Sequence, residues 1–180
     1  MTNPVLRGRM ILLLIVAFFV LPVIVAKTVL EKHWYQSGVT NHGQLFNPEI
    51  SLAELNVSNP LQQKSWQLAY VVPKQCQQSC LRQLYLLSQS HMALGKYQQR
   101  VTPVLMMTPD SDQMVDTSKF AVIRLNGDAE LPFSEADYLI VDPLGQLVMR
   151  YPEVEEQAMM SQSKDLLADF RKLLKLSRIG

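Results

Sequence analysis

Apolar residues are spread unevenly along this 180-residue chain, and the sharpest concentration comes first. Met10 to Ala26, MILLLIVAFFVLPVIVA, carries no charge. Val29 and Leu30 extend it if Lys27 snorkels to the interface, giving about the twenty residues that cross a hydrocarbon core of roughly 30 Å. Pro22 is tolerable near the outer end of such a helix. The pattern predicts a transmembrane helix over 10–30 behind a short tail, 1–9. Arg7, Arg9 and the amino terminus flank one side, while Lys27 and Lys32, offset by Glu31, flank the other. That bias favours a cytoplasmic N-terminus. A cleaved secretory signal is the alternative, although no A-x-A-like site follows the run. Both readings export the remainder, which in a bacterium means the periplasm, where paired cysteines oxidise.

Residues 31–62 read as a linker and lead-in: Gly38, Gly43, Pro48 and Pro60 punctuate a polar stretch whose main apolar cluster is Leu45-Phe46. The pattern changes over 63–180, which reads as one domain. Trp66-Gln-Leu-Ala-Tyr-Val-Val72, stopped by Pro73, suits a buried strand. After Lys74-Gln-Cys-Gln-Gln-Ser-Cys-Leu81, Leu84, Leu87, His91 and Leu94 recur at helical spacing, predicting a helix from about Arg82 to Lys96 with Gly95 as a stop signal. Val101–Met107 is a second strand, 109–117 a polar turn or short helix, and Phe120–Leu125 a third strand or the end of that helix. Tyr138–Val141 and Leu147–Tyr151 flank Asp-Pro-Leu-Gly-Gln, a hairpin signal in which Gly145 supplies a positive φ. Glu155 to Leu176 closes the chain as a helix with Leu166, Leu167, Phe170, Leu173 and Leu174 on one stripe. Strand, cysteine-bearing helix, strand, helical excursion, hairpin and closing helix follow in the thioredoxin order. The expected fold is therefore α/β: a thioredoxin-like domain with a central mixed sheet flanked by helices, behind one N-terminal transmembrane helix.

Composition removes other classes. The net charge is +1 with no basic concentration, so there is no footprint for nucleic acid. No Gly-rich phosphate loop and no nucleophile–base pair for hydrolysis stands out. The cysteines change the picture most: there are two, Cys76 and Cys80, four residues apart where a strand meets a helix. Helical positions i and i+4 hold Cα atoms about 6 Å apart, inside the window for a disulfide. A helix N-terminus lowers a thiol pKa, and Lys74 nearby pushes the same way. Two thiolates are also soft ligands suited to Cu(I), and an incomplete set for zinc. A bridge over so short a loop gains comparatively little entropy, so chemistry explains it better than stapling, though a structural disulfide stays open.

On these residues the chain resembles the Sco/SenC family of cytochrome oxidase copper-assembly proteins. The resemblance runs through Trp66 to Cys76 and Cys80, the Leu-rich segment after them, and Tyr138-Leu-Ile-Val-Asp142. With Asn41-His-Gly-Gln-Leu45, it looks closer still to small membrane-anchored Sco-like proteins associated with bacterial cytochrome c oxidase genes. The resemblance implies a cysteine site that handles copper or redox state, and a partner that is an oxidase subunit or another copper-assembly protein. It also implies an address: the bacterial inner membrane, with the C-terminal domain in the periplasm. One departure matters. The family completes its copper site with a histidine directly after the Asp corresponding to Asp142, and here that position is Pro143.

Other candidates carry less. His91 lies some 16 Å along its helix from Cys80. His33 and His42 fall in the lead-in, where a flexible segment folding back would bring them over the cysteines. Met106-Met107 and Met159-Met160 offer thioethers, but core filling explains methionines at such positions. Pro132 is the candidate for the cis-proline that thioredoxin-like folds place opposite their cysteines. Asp110, Asp112 and Asp116 lack the Gly and final Glu of a calcium loop and read as a solvated turn. Three functions are consistent with all this: an oxidase-assembly factor working through cysteine redox or transient Cu(I), a general thiol–disulfide oxidoreductase, and a binding module with a structural disulfide. The spacing weighs against the second, whose members normally use CxxC.

Overall fold

A computed structural model describes residues 4–31, 41–127 and 130–179. Helix α1 runs from Pro4 to Glu31, and its segment Arg7–Thr28 is a candidate membrane span with mean hydropathy 2.8. At about 1.5 Å per residue this length exceeds the hydrocarbon core. His33 lies outside the described residues. A second compact unit begins at Asn41.

That unit is built on strands β1 Gln44–Ser51, β2 Trp66–Val71, β3 Val101–Met107, β4 Ala121–Arg124, β5 Tyr138–Val141 and β6 Gln146–Tyr151. They form one sheet in the order β1-β6-β5-β2-β3-β4. β2 pairs parallel with β3 and antiparallel with β5, β3 pairs parallel with β4, and β6 lies antiparallel to both β5 and β1. All six residues of β2 are buried, as a central strand covered on both faces requires, which is why it reads as an apolar run interrupted only by Gln67. Gly145, at φ +89°, turns the β5–β6 hairpin.

Helices α2 Gln78–Ala93 and α3 Met159–Leu176 pack on one face. There Leu84, Leu87, Leu166, Phe170 and Leu174 meet Trp66, Leu68, Tyr70 and Tyr138. Ser90 and Ser163 hydrogen-bond across the two helices at 2.8 Å. Arg100 ties the end of α3 down by donating to the Leu174 carbonyl at 2.8 Å. Among the described residues of this unit the other face is covered without a helix: Leu52, Val57, Leu125 and Phe133 close over Ala69, Val71, Val104 and Leu139.

Three expectations need correction. The lead-in to residue 62 is not outside the domain, because from Gln44 it supplies edge strand β1, and Leu52 and Val57 are core residues. After β3, where the sequence leaves open a turn or short helix and then a strand or helix end, the chain forms turns and strand β4, with no helix among the described residues there, so the helical excursion is not found. The helix boundaries also move. α2 starts at Gln78 and stops at Ala93, Gly95 (φ +60°) opens a 3-10 turn over Gly95–Arg100, and α3 starts at Met159.

Candidate functional site

β2 delivers the cysteines. Past its end, Val72 N–H still donates to the Met106 carbonyl at 2.9 Å, and then Pro73 stops the ladder. Two loops brace the emerging chain. From one, Ser111 Oγ donates to the Val72 carbonyl at 2.6 Å and Asp112 N–H to that of Pro73 at 2.9 Å. From the other, Ala136 N–H donates to the Val71 carbonyl at 2.9 Å, and the Glu135 carboxylate accepts Lys74 N–H at 3.2 Å.

Gln77 is the N-cap of α2, with extended backbone (ψ −169°) and no side-chain capping bond. Cys76 therefore stands ahead of the helix and Cys80 sits in its first turn, rather than both on helical turns. The two are joined as a disulfide with Cα atoms 5.0 Å apart. Cys80 is buried and Cys76 half-buried.

The uncapped helix end leaves partial positive charge where a Cys76 thiolate would form. Lys74, expected to help, is engaged elsewhere: its Nζ lies 3.1 Å from Asp110, and that carboxylate, followed by Glu135, raises the lysine pKa. Cys76 N–H donates to Asp112 Oδ2 at 3.1 Å, and Asp112 Oδ1 accepts Met114 N–H at 2.9 Å. Those two N–H groups, Met114 before Cys76, hold the Asp112 carboxyl below the usual carboxylate range. An ionised carboxylate thus sits beside Cys76, opposing the helix end.

Behind Cys80 lies a polar cavity of about 140 Å³, lined by Tyr70, Gln83, Glu135, Glu153 and Met159 among others. Gln83 is only 2 % exposed, and its Nε2 has no partner among the described residues. The Tyr138 hydroxyl donates to the Gln83 carbonyl at 2.6 Å. Burial first, then the Glu153 and Asp137 carboxylates, push the Tyr70 phenol well above its ordinary pKa, so it stays protonated. Ala136 holds a left-handed φ of +62°, strain located on the loop facing the cysteines. The sequence reading missed this lining, although Gln83, three residues beyond Cys80, shares its helix face.

The remaining candidates fall elsewhere. β5 runs antiparallel to β2, with Gln67 opposite Val141 and Tyr70 opposite Tyr138. Pro143 follows the end of β5 and so lies level with the start of β2, on the order of 17 Å from the end that carries the cysteines. The position where the resemblance located a missing ligand is on the wrong end of the sheet for any ligand. Residues 133–136, Phe-Ser-Glu-Ala, occupy the right end. Pro132 is not cis; among the described residues the cis peptide is Asn47–Pro48.

His42 does not fold over the cysteines. Its N–H donates to Asp169 Oδ2 at 2.7 Å, beside edge strand β1, three strands from β2. His91 Nε2 sits 2.8 Å from the Val101 carbonyl. Met106 is buried on the opposite face of the sheet and Met107 in the helix-side core. Among the described residues no group of three or more His, Cys, Asp or Glu is placed to hold a metal ion. The chemistry of the donors fits Cu(I) through the two sulfurs alone, once reduced.

A family model described as transmembrane-like, thioredoxin-like, C-terminal domain matches residues 66–177. The chain belongs to this family. The match of this thioredoxin-like family takes in everything from β2 through the cysteine pair to the end of α3. No curated protein sequence matches the chain.

Among solved structures, the chain is similar to copper-bound ScoI of Arabidopsis thaliana, at 17 % identity over 62 % of this chain and 87 % of that one, with a TM-score of 0.43. It is similar to copper-bound yeast Sco1 at 15 % identity over 63 % and 78 %, with a TM-score of 0.43. A putative thioredoxin from Neisseria meningitidis follows at 16 % identity over 68 % and 89 %, with a TM-score of 0.38. These likenesses are distant, and the thioredoxin-like fold rests on the family match and the strand order.

Proposed function

We propose that this chain is a membrane-anchored periplasmic thiol–disulfide protein serving cytochrome c oxidase assembly, with Cys76 and Cys80 as its working pair. The observation that carries the reading is the pair itself: a disulfide between a half-buried and a buried cysteine, at an uncapped helix N-terminus and beside a polar cavity. The oxidase and the periplasmic address rest on the sequence resemblance and the charge bias around α1. In the proposed layout 1–9 is cytoplasmic, 10–30 spans the inner membrane, and a linker leads into the exported domain. Anchoring confines the pair near a membrane-bound partner and raises its effective concentration.

In the dithiol state the Cys76 thiolate attacks a partner disulfide, forming a mixed disulfide and releasing one partner thiolate. The Cys80 thiolate then attacks Cys76 Sγ, closes the intramolecular bridge and releases the second partner thiolate. Two electrons pass to the partner, and the two thiol protons end on its sulfurs. A periplasmic dithiol must return both electrons for another cycle. In a second reading, favoured by the two soft donors, the dithiol holds Cu(I) as cargo between partners.

Equilibrating the full chain in detergent with glutathione redox buffers and counting free thiols tests the proposal. A reduction potential between about −270 and −120 mV, the range of exchanging proteins, supports cycling. A value below about −300 mV would leave the bridge a structural staple.

A further inference from the structure

One carboxylate holds two sulfur-bearing residues together at the cysteine site. Asp112 Oδ2 accepts Cys76 N–H at 3.1 Å while its Oδ1 accepts Met114 N–H at 2.9 Å. The two backbone nitrogens are therefore no more than about 8 Å apart. Met114 is 94 % exposed, with its thioether buried against nothing, on the loop that also braces Pro73. Its unbranched side chain turns about three bonds, so the thioether of this exposed residue is not fixed in one place.

The other methionines are less available to that sulfur. Met106 and Met107 are core residues, Met160 is half-exposed on α3, and Met159 is buried on the Cys80 side of the cavity. An ion arriving from solvent meets half-buried Cys76 and exposed Met114 first.

We infer that Met114 supplies, through its thioether, the third ligand of a Cu(I) site completed by Cys76 and Cys80. This rests on the copper-holding reading above. All three donors are soft, the class that selects Cu(I) over zinc and harder ions. The site forms only in the dithiol state, after a thiol reductant has delivered two electrons to the bridge. Binding then changes no oxidation state: two thiol protons leave, two thiolate sulfurs and one neutral thioether bind, and the cargo complex carries one negative charge.

The test uses the full chain in detergent, reduced and kept free of oxygen, with Cu(I) partitioned against a chromophoric chelator and copper K-edge absorption recorded on the same samples. Wild type should bind one Cu(I) with three sulfur neighbours. Met114→Leu, a volume-conserving change at an exposed site, should lower affinity about tenfold or more, the scale at which even supporting groups of a ligand set act, and leave two sulfurs. Met159→Leu should bind as wild type does. Binding by Met114→Leu within about twofold of wild type, or a loss that follows Met159→Leu instead, would overturn the Met114 assignment while leaving copper holding intact. Undiminished binding by Cys76→Ser/Cys80→Ser, or no binding by wild type, would overturn the copper reading itself.

Discussion

Two places in the domain bury polar groups against the helical face of the sheet, and they treat them in opposite ways. Beside β1, Asp169 is 3 % exposed and saturated. It accepts the N–H of His42 at 2.7 Å, the N–H of Gly43 at 3.0 Å and the Tyr151 hydroxyl at 2.8 Å, with His42 Nδ1 at 3.3 Å. Gly43 is required there, because a Cβ would lie 2.5 Å from the Tyr151 ring. At the cysteine corner the Gln83 amide nitrogen is unpartnered, Ala136 is held at positive φ, and a cavity remains beside Cys80. The first place uses its hydrogen bonds to fasten His42, Gly43 and Tyr151 to α3. The second leaves a bond unmade beside the sulfurs that the proposed exchange would use. Unsatisfied and strained groups are found where folds do chemistry, and here an unpartnered nitrogen, a strained residue and a cavity coincide beside the cysteine pair, although Gln67 at the far end of β2 is unpartnered as well.

The contrast is broken most forcefully at Asp169. Asp169→Ala strands the Gly43 and His42 N–H groups and should cost about 3 kcal/mol of folding stability, read from urea denaturation of the full chain in detergent. The reduction potential of Cys76–Cys80 should not move. A potential that shifts with the stability would mean that the two places are energetically one.

Reducing the disulfide comes next. On the chain-entropy account, a loop this short constrains the unfolded state by about 2 kcal/mol, so denaturation with and without a phosphine reductant should differ by that amount. A difference well above the loss at Asp169→Ala would return the bridge to the role of staple.

How much of this contrast the sequence discloses depends on how far its signals reach. Strands β2 and β3, the β5–β6 hairpin and both packing helices are legible because each is a local run of apolar residues or a local turn. The cysteine pair is legible by spacing alone. β1 is not, since Gln44–Ser51 is an edge strand with no fully buried residue and a proline within it. The Asp169 clasp joins residues 127 positions apart, and neither segment announces the other. The misplaced Pro143 has a topological cause: a motif after a strand says nothing about which end of the sheet that strand points to. Only the antiparallel pairing of β5 with β2 settles it.

A smaller effect separates the two places by pH. Burial alone would raise the Asp169 carboxyl. The Gly43 N–H, the Tyr151 hydroxyl, the His42 N–H and the His42 ring outweigh it and hold the group below the usual carboxylate range. A carboxylate depressed on folding adds stability that is complete above the unfolded pKa of about 3.9 and is lost as pH falls through the folded value. Wild type should therefore lose stability on acidification below about pH 5, on the order of 1 kcal/mol more steeply than Asp169→Asn. Asp112 and Asp116 are depressed too, but they titrate in both proteins, so the difference isolates Asp169. Parallel acid limbs would deny the clasp its charge.

The smallest effect sharpens the comparison from the cysteine side. Gln83→Leu removes the unpartnered Nε2 together with Oε1, which accepts the Tyr138 hydroxyl at 3.0 Å, while the 2.6 Å bond from that hydroxyl to the residue 83 carbonyl needs only the backbone. Deleting a buried donor that has no acceptor should leave folding unchanged or improve it by up to about 1 kcal/mol. The same change makes the cavity behind Cys80 more apolar. That disfavours the buried thiolate, and Cys80 should close a mixed disulfide more slowly, as stopped-flow mixing with an oxidised peptide would read. A variant that is more stable and slower would show that Gln83 is kept for exchange at some cost to the fold. A variant that is less stable would mean that the amide nitrogen is bonded too, and the cysteine corner would be as fully bonded as the Asp169 clasp.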